Sequence, residues 1–276
     1  MAKNSLLVLL IFFLSGLARG QTSASENIVS LELDAPQLDT LKRMWIYLPD
    51  NYDEEPRHCY PVLYMHDGQN LFDTSTAFSG EWRIDEWLDR TKGRKMIVVG
   101  IEHGNEKRIQ ELTPFPNPEY GGGGANAYLE FVVNDLKPYI DKHFRTDPNK
   151  TSTGIMGSSL GGLVSLYAML QYPEVFGFAG VFSPSLWFNE EIFSFVNETE
   201  LAKDQRFYIM GGTEEGETMI PNMQRMTLLL LRKGIPEENL RYKTVEGGRH
   251  NEDLWAKEIP EALTWWLQDF QPNCGK

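Results

Sequence analysis

The chain has 276 residues and a formal net charge of −13, long enough for one large domain with a substantial core. An acidic surface repels phosphate backbones and anionic headgroups, so nucleic acid and acidic membranes are not expected partners. The five histidines show no metal-ligand spacing and no H-E-x-x-H occurs, so neither a catalytic metal nor a cofactor is expected.

Residues 1–20 read as a secretory signal peptide. Lys3 gives a positive start, residues 6–14 are almost wholly apolar, and Ala18-Arg19-Gly20 offers small residues for cleavage before Gln21. The apolar run is too short to span a bilayer and no later stretch approaches that length, so no stable membrane insertion is expected. The mature chain, 21–276, reads as one domain, exported to a periplasm or secreted. In such a protein Cys59 and Cys274 could pair.

After the leader, residues 28–33 and 43–48 read as paired edge strands. Residues 61–65 and 96–101 are continuous apolar runs, as in strands buried on both faces. Trp82 and Trp87 fall on a short amphipathic helix and read as core. Residues 109–124 are rich in Pro and Gly without periodicity and read as a long loop, a lid over substrate or a disordered excursion. Residues 127–144 have helical spacing. Further strands are expected at 153–156, 179–182, 207–210 and 240–245. Helical stretches at 160–171, 189–200, 221–233 and 251–270 alternate with them. The alternation predicts an α/β fold, a mostly parallel twisted sheet with helices on both faces.

Chemistry concentrates at the carboxyl ends of three of these strands. Gly157-Ser158-Ser159-Leu160-Gly161 is a G-x-S-x-G between a strand and a helix, the setting that exposes a nucleophilic serine in an α/β hydrolase. The flanking glycines suit a strained turn. Downstream lie Gly211-Gly212-Thr213-Glu214-Glu215-Gly216 and then Gly247-Gly248-Arg249-His250-Asn251, giving the order nucleophile, acid, histidine. Ser159 needs a base, and His250 is the candidate. Glu214, Glu215 and Glu217 all lie in the acid loop, and spacing does not separate them. The oxyanion donors are expected to be the backbone N–H of Leu160 and, from the loop after 61–65, that of Gln69. Trp187 and Phe188 leave a strand at its carboxyl end and are expected to line a substrate pocket. His66, which precedes the serine, is given a structural or substrate-side role.

Four of these segments together resemble the esterase D-like family of α/β hydrolases: Tyr64-Met65-His66-Asp67-Gly68-Gln69-Asn70-Leu71-Phe72-Asp73, Gly157-Ser158-Ser159-Leu160-Gly161-Gly162, Phe182-Ser183-Pro184-Ser185-Leu186-Trp187 and Gly248-Arg249-His250-Asn251-Glu252. That family includes enterochelin esterases, feruloyl and acetyl-xylan esterases, S-formylglutathione hydrolases and mycolyltransferases. The resemblance covers residues 44–270. It implies Ser159 as nucleophile, His250 as base and Gln69 as an oxyanion donor. The similarity of Gly212-Thr213-Glu214-Glu215 to the family's acid loop favours Glu215. The expected activity is that of an exported serine ester hydrolase on an acylated carbohydrate or a related small ester. A siderophore esterase, an acyltransferase and a non-catalytic ligand-binding relative are the alternatives.

Overall fold

The computed structural model describes residues 22–91, 95–268, 270 and 274. The proposed leader therefore lies outside the described residues. Eight strands form one sheet in the order β1-β2-β4-β3-β5-β6-β7-β8. They are β1 (Ile28–Ala35), β2 (Thr40–Tyr47), β3 (Val62–His66), β4 (Ile97–Ile101), β5 (Thr153–Ser158), β6 (Phe178–Phe182), β7 (Arg206–Gly212) and β8 (Leu240–Val245). β1 pairs antiparallel with β2, and β2 antiparallel with β4. Every later pairing is parallel.

The burial pattern follows from this order. β3, β4, β5 and β6 are buried along their whole length, as strands covered on both faces must be. β1 at the sheet edge is made of partly buried and exposed residues until the buried Ala35 at its end. Successive side chains of one strand point to opposite faces, so the sheet feeds two cores. Val62, Tyr64, Ile155, Ala179, Val181, Phe207 and Ile209 belong to one. Leu63, Met65, Met156, Phe178, Phe182, Tyr208 and Met210 belong to the other.

The first core is closed by α2 (Arg108–Leu112), α3 (Ala125–Phe131), α4 (Lys137–His143), α5 (Leu160–Gln171), α6 (Glu191–Glu198) and α7 (Met219–Arg232). The second is closed by α1 (Ile84–Arg90) and α8 (Glu252–Trp266). Trp266 of α8 stacks on Phe178 with ring centroids 4.8 Å apart and planes 8° apart. Each buried Phe, Leu or Ile in these layers contributes about 1.5–3 kcal/mol of transfer free energy before the entropy of ordering is set against it.

Three local features differ from the sequence expectation. The helix expected over 127–144 is two α-helices joined by the π-helical segment Val132–Leu136, an inserted residue that a 3.6-residue period cannot register. The expected loop 109–124 begins inside α2, and the rest is tied down. Thr113 Oγ1 donates to the Ile109 carbonyl at 2.7 Å and accepts from Gly123 N–H at 2.9 Å. Gly121, Gly122 and Gly123 supply the positive φ this path needs. Trp82 is buried in the second core, but just ahead of α1 rather than within it, whereas Trp87 lies in the helix, partly buried. Cys59 and Cys274 form a disulfide, Cα atoms 5.3 Å apart, across a sequence separation of 215.

Candidate active site

The chain leaves β5 at Ser158, turns at Ser159 and enters α5 at Leu160. Ser159 adopts φ 59° and ψ −120°, a region that side chains disfavour and that surrounding structure must hold in place. Three backbone hydrogen bonds hold it: Ser159 N–H to the Phe182 carbonyl at 3.0 Å, and Leu163 and Ser185 N–H to the Ser159 carbonyl at 3.1 and 3.0 Å. Two of the glycines around it are required for space. A Cβ on Gly157 would lie 2.9 Å from the Gly161 carbonyl carbon, and one on Gly162 would lie 2.7 Å from the Phe182 oxygen. At Gly161 the nearest neighbour of an added Cβ would be the His66 side chain at 3.2 Å, tight rather than forbidden.

The loops after β7 and β8 are zipped together. Thr213 N–H donates to the Val245 carbonyl and Glu214 N–H to the Gly248 carbonyl. The turn that follows β7, fixed by these two bonds, separates the glutamates. Glu214 faces out and pairs with Arg249 at 2.8 Å, both side chains at least half exposed. Glu217 is exposed. Glu215 faces in, its side chain fully buried, and its Oε2 accepts from His250 Nδ1 at 2.6 Å. Its Oε1 accepts from Ser183 Oγ at 2.8 Å and from the Gly212 N–H. Ser183 in turn accepts from Trp255 Nε1 at 2.8 Å, and the His250 ring stands edge-on to Trp255 at 5.2 Å. The carboxylate is thus fixed on both oxygens and the imidazole is held through Nδ1, leaving Nε2 available for proton transfer.

Ser159 and His250 line one cleft of about 530 Å³ together with Asp67, Asn70, Arg108 and Glu252. The Ser159 hydroxyl lies 3.2 Å from Ser185 Oγ. On the β3 side, Asp67 is gripped by Arg108 through two bonds of 2.7 and 2.8 Å. Burial would raise the Asp67 carboxyl, but the facing guanidinium outweighs it and holds the group below its ordinary value. Asn70 Nδ2 reaches Glu252 Oε1 at 3.4 Å, and its Oδ1 accepts from Phe78 N–H at 3.1 Å.

The remaining sequence candidates fall in three places. Leu160 N–H opens α5 beside the serine, where the helix dipole favours negative charge. Gln69 occupies the turn Gly68–Asn70 below the cleft wall, with both side-chain amide atoms buried and without partners. His66 is buried, only 2% exposed, and its Nδ1 meets Tyr128 Oη at 2.7 Å. Burial pushes its pKa down to about 4, so it is neutral at pH 7. It braces the serine turn from beneath instead of facing substrate. Trp187 is half exposed and packs edge-on to Tyr120 at 6.1 Å, outside the cleft wall. Phe188 is 3% exposed and belongs to the core, the packing role that an aromatic after a tight turn also fits. The aromatics on the wall are Phe78, 90% exposed, and Trp255. Sequence reasoning gave no role to Ser183, Ser185, Arg108, Asn70 or Glu252. The segment Phe182–Trp187 held the only signal for the first two.

Among curated proteins, an uncharacterised protein of Bacillus subtilis is 27% identical over 238 residues, 81% of this chain and 92% of its own. An iron(III) salmochelin esterase of Escherichia coli is 24% identical over 80% of this chain and 53% of its length. An endo-1,4-beta-xylanase/feruloyl esterase of Xylanibacter ruminicola is 29% identical over 53% of this chain and 20% of its length. The chain thus spans about half of the first esterase and a fifth of the second. Among solved structures, the enterobactin esterase of Shigella flexneri superimposes with a TM-score of 0.72 at 18% identity, over 89% of this chain and 60% of that one, a likeness of fold. The family model described as "Putative esterase" matches residues 36–266. With an α/β-hydrolase sheet beneath it and a serine, a histidine and a buried glutamate gathered at one edge, the chain belongs to that family and is an ester hydrolase.

Proposed function

We propose that this chain is a serine carboxylic-ester hydrolase in which Ser159, His250 and Glu215 form the catalytic triad. The observation that carries the reading is the 2.6 Å bond between His250 Nδ1 and a fully buried Glu215. Glu215 fixes the tautomer with the proton on Nδ1 and stabilises the imidazolium that forms later. Nε2 takes the Ser159 proton as Oγ attacks the ester carbonyl carbon. The tetrahedral oxyanion rests on the N–H groups of Leu160 and Gln69. Collapse breaks the bond to the alcohol, which leaves with the proton from Nε2, and an acyl-enzyme remains on Ser159. Water, deprotonated by His250, attacks that ester. The acid departs, and the proton returns to Ser159.

For substrate, a siderophore-type ester stands first, supported by the salmochelin-esterase relative and by a polar cleft that offers Arg108, Asn70 and Glu252 around the serine. An acylated carbohydrate is the second reading. It is favoured by the exposed Tyr120–Trp187 pair, a surface on which a sugar can stack, and by the xylanase/feruloyl relative. We further propose export, with residues 1–20 as the leader and 21–276 as the mature domain.

The test is turnover of p-nitrophenyl acetate by the chain and by Ser159→Ala, followed by siderophore and feruloyl esters. Loss of about four to six orders of magnitude in kcat for the variant, with an acyl adduct trapped on Ser159 by mass spectrometry, would bear the reading out. Equal rates in both proteins would refute it.

A further inference from the structure

The residues ahead of β1 fold across the start of α1. Ser25 N–H donates to Asp85 Oδ2 at 2.9 Å, and Ser25 Oγ to Asp89 at 2.6 Å. Ser23 Oγ lies 3.2 and 3.1 Å from the two oxygens of Glu81, and Thr74 Oγ1 donates to Glu81 Oε2 at 2.7 Å. Here one oxygen each of Glu81, Asp85 and Glu86 lies within 4.8 Å of the others. Carboxylates in the first turn of a helix are ordinary when solvated or bonded to its amides. These are neither. Asp85 is wholly buried and its Oδ1 has no hydrogen-bond partner, and Glu86 Oε2 is likewise buried and unpartnered. Among the described residues, no lysine, arginine or histidine forms an ion pair with any of the three. Buried anionic oxygens without a counter-charge are strongly destabilising.

We propose that Glu81, Asp85 and Glu86 hold a calcium ion, with the hydroxyls of Ser23 and Thr74 as neighbouring oxygen donors. The donor set is all hard oxygen, which suits calcium or magnesium and not a softer metal. The three oxygens lie within 4.8 Å of one another, close enough to share one ion. Calcium is the better fit, because it accepts irregular sets of protein oxygens, whereas magnesium demands a near-ideal octahedron and gives up its waters reluctantly. The ion would neutralise the two orphaned oxygens and staple the pre-β1 segment to α1. It would also steady one wall of the cleft. Phe78 and Ser79 line the cleft, and a Cβ on Gly80 would touch Glu252 Cβ at 3.0 Å. Trp82 N–H bonds the Asn70 carbonyl at 2.8 Å while its ring stacks on Phe182. The segment flanking Glu81 is therefore part of the active-site frame. The alternative occupant is a proton shared by Asp85 and Glu86.

The full chain, stripped with EDTA and desalted, is titrated with calcium chloride by calorimetry and in thermal melts, with magnesium chloride and terbium luminescence in parallel. One calcium per chain is expected. The Tm should rise by about 5–10 °C at a hundredfold excess over Kd, with a smaller rise for magnesium. Asp85→Asn should lose both the binding heat and the shift. In EDTA it should melt no lower than the parent, because a buried charge has been removed. Glu86→Gln, at a less buried position, should lose the same shift and carries the test if Asp85→Asn fails to fold. No heat and no shift in the parent up to millimolar calcium would overturn the proposal and leave the shared proton. A shift retained in both variants would overturn it too, by placing the ion elsewhere. None of these readouts depends on esterase activity.

Discussion

The two sides of the cleft use charge in opposite ways. On the β7–β8 side, Glu215 is buried and its one ionisable partner, His250, is partly open to solvent. That asymmetry leaves the other face of the imidazole turned toward the cleft that Ser159 also lines. On the β3–β4 side the ionisable groups are matched to one another. Asp67 pairs with Arg108, Lys42 with Glu111 at 2.6 Å, and His66 with Tyr128. The contrast separates groups poised for chemistry from groups that stiffen the floor beneath it, although both sets sit at the same sheet edge.

Removing charge from the first side should damage rate more than fold. Glu215→Gln is expected to lower kcat by about 10²–10⁴-fold, because the amide no longer fixes the productive tautomer. Glu214→Gln, one residue away on the outward face, should leave kcat within about twofold. Steady-state kinetics on the same ester decide it, and equal losses in the two variants would break the contrast. Removing charge from the second side should do the reverse. Lys42→Met strands Glu111, whose Oε1 already lacks a partner, and should cost about 3–5 kcal/mol in urea unfolding with kcat changed only a few-fold.

The smallest effect is a dependence on pH. His66 is buried neutral, its pKa lowered from 6.5 to about 4, so between those values the unfolded chain binds a proton that the folded chain does not. Its contribution to stability is complete above about pH 6.5 and is lost as pH falls toward 4, by about 1.4 kcal/mol per pH unit at most. His66→Asn should flatten that part of the stability–pH curve. An unchanged slope would show that His66 charges freely and is not part of a sealed floor.

How much of this was legible in the sequence depended on how local the cause was. The strands were readable because apolar runs such as Val62–His66 and Phe178–Phe182 are each buried from end to end. Ser159 and His250 were readable because a strained turn needs glycines beside it in the chain. Spacing did not separate Glu215 from Glu214 and Glu217, and only the family resemblance favoured it, since the choice is made by how the β7 and β8 loops bond to each other. The burial of His66 depends on Tyr128, sixty-two positions away. Arg108 at the start of α2, Glu252 at the start of α8 and Asn70 in the turn after β3 reach one cleft from distant parts of the chain. No spacing rule joins them. Phe188 carried an aromatic signal that fits core and cleft equally.

The Cys59–Cys274 bond encloses β3 through α8 in a covalent ring and leaves β1 and β2 outside it. Tension applied at the two ends of the described chain would therefore pass through sulfur and never load the strands that carry Ser159, Glu215 and His250. The β1–β2 pair, joined in register from Ile28↔Tyr47 to Ala35↔Thr40, would peel away first, after which extension would stop short. Mechanically the molecule is a short, extensible lead attached to a shielded block, and the reactive edge lies wholly within the block.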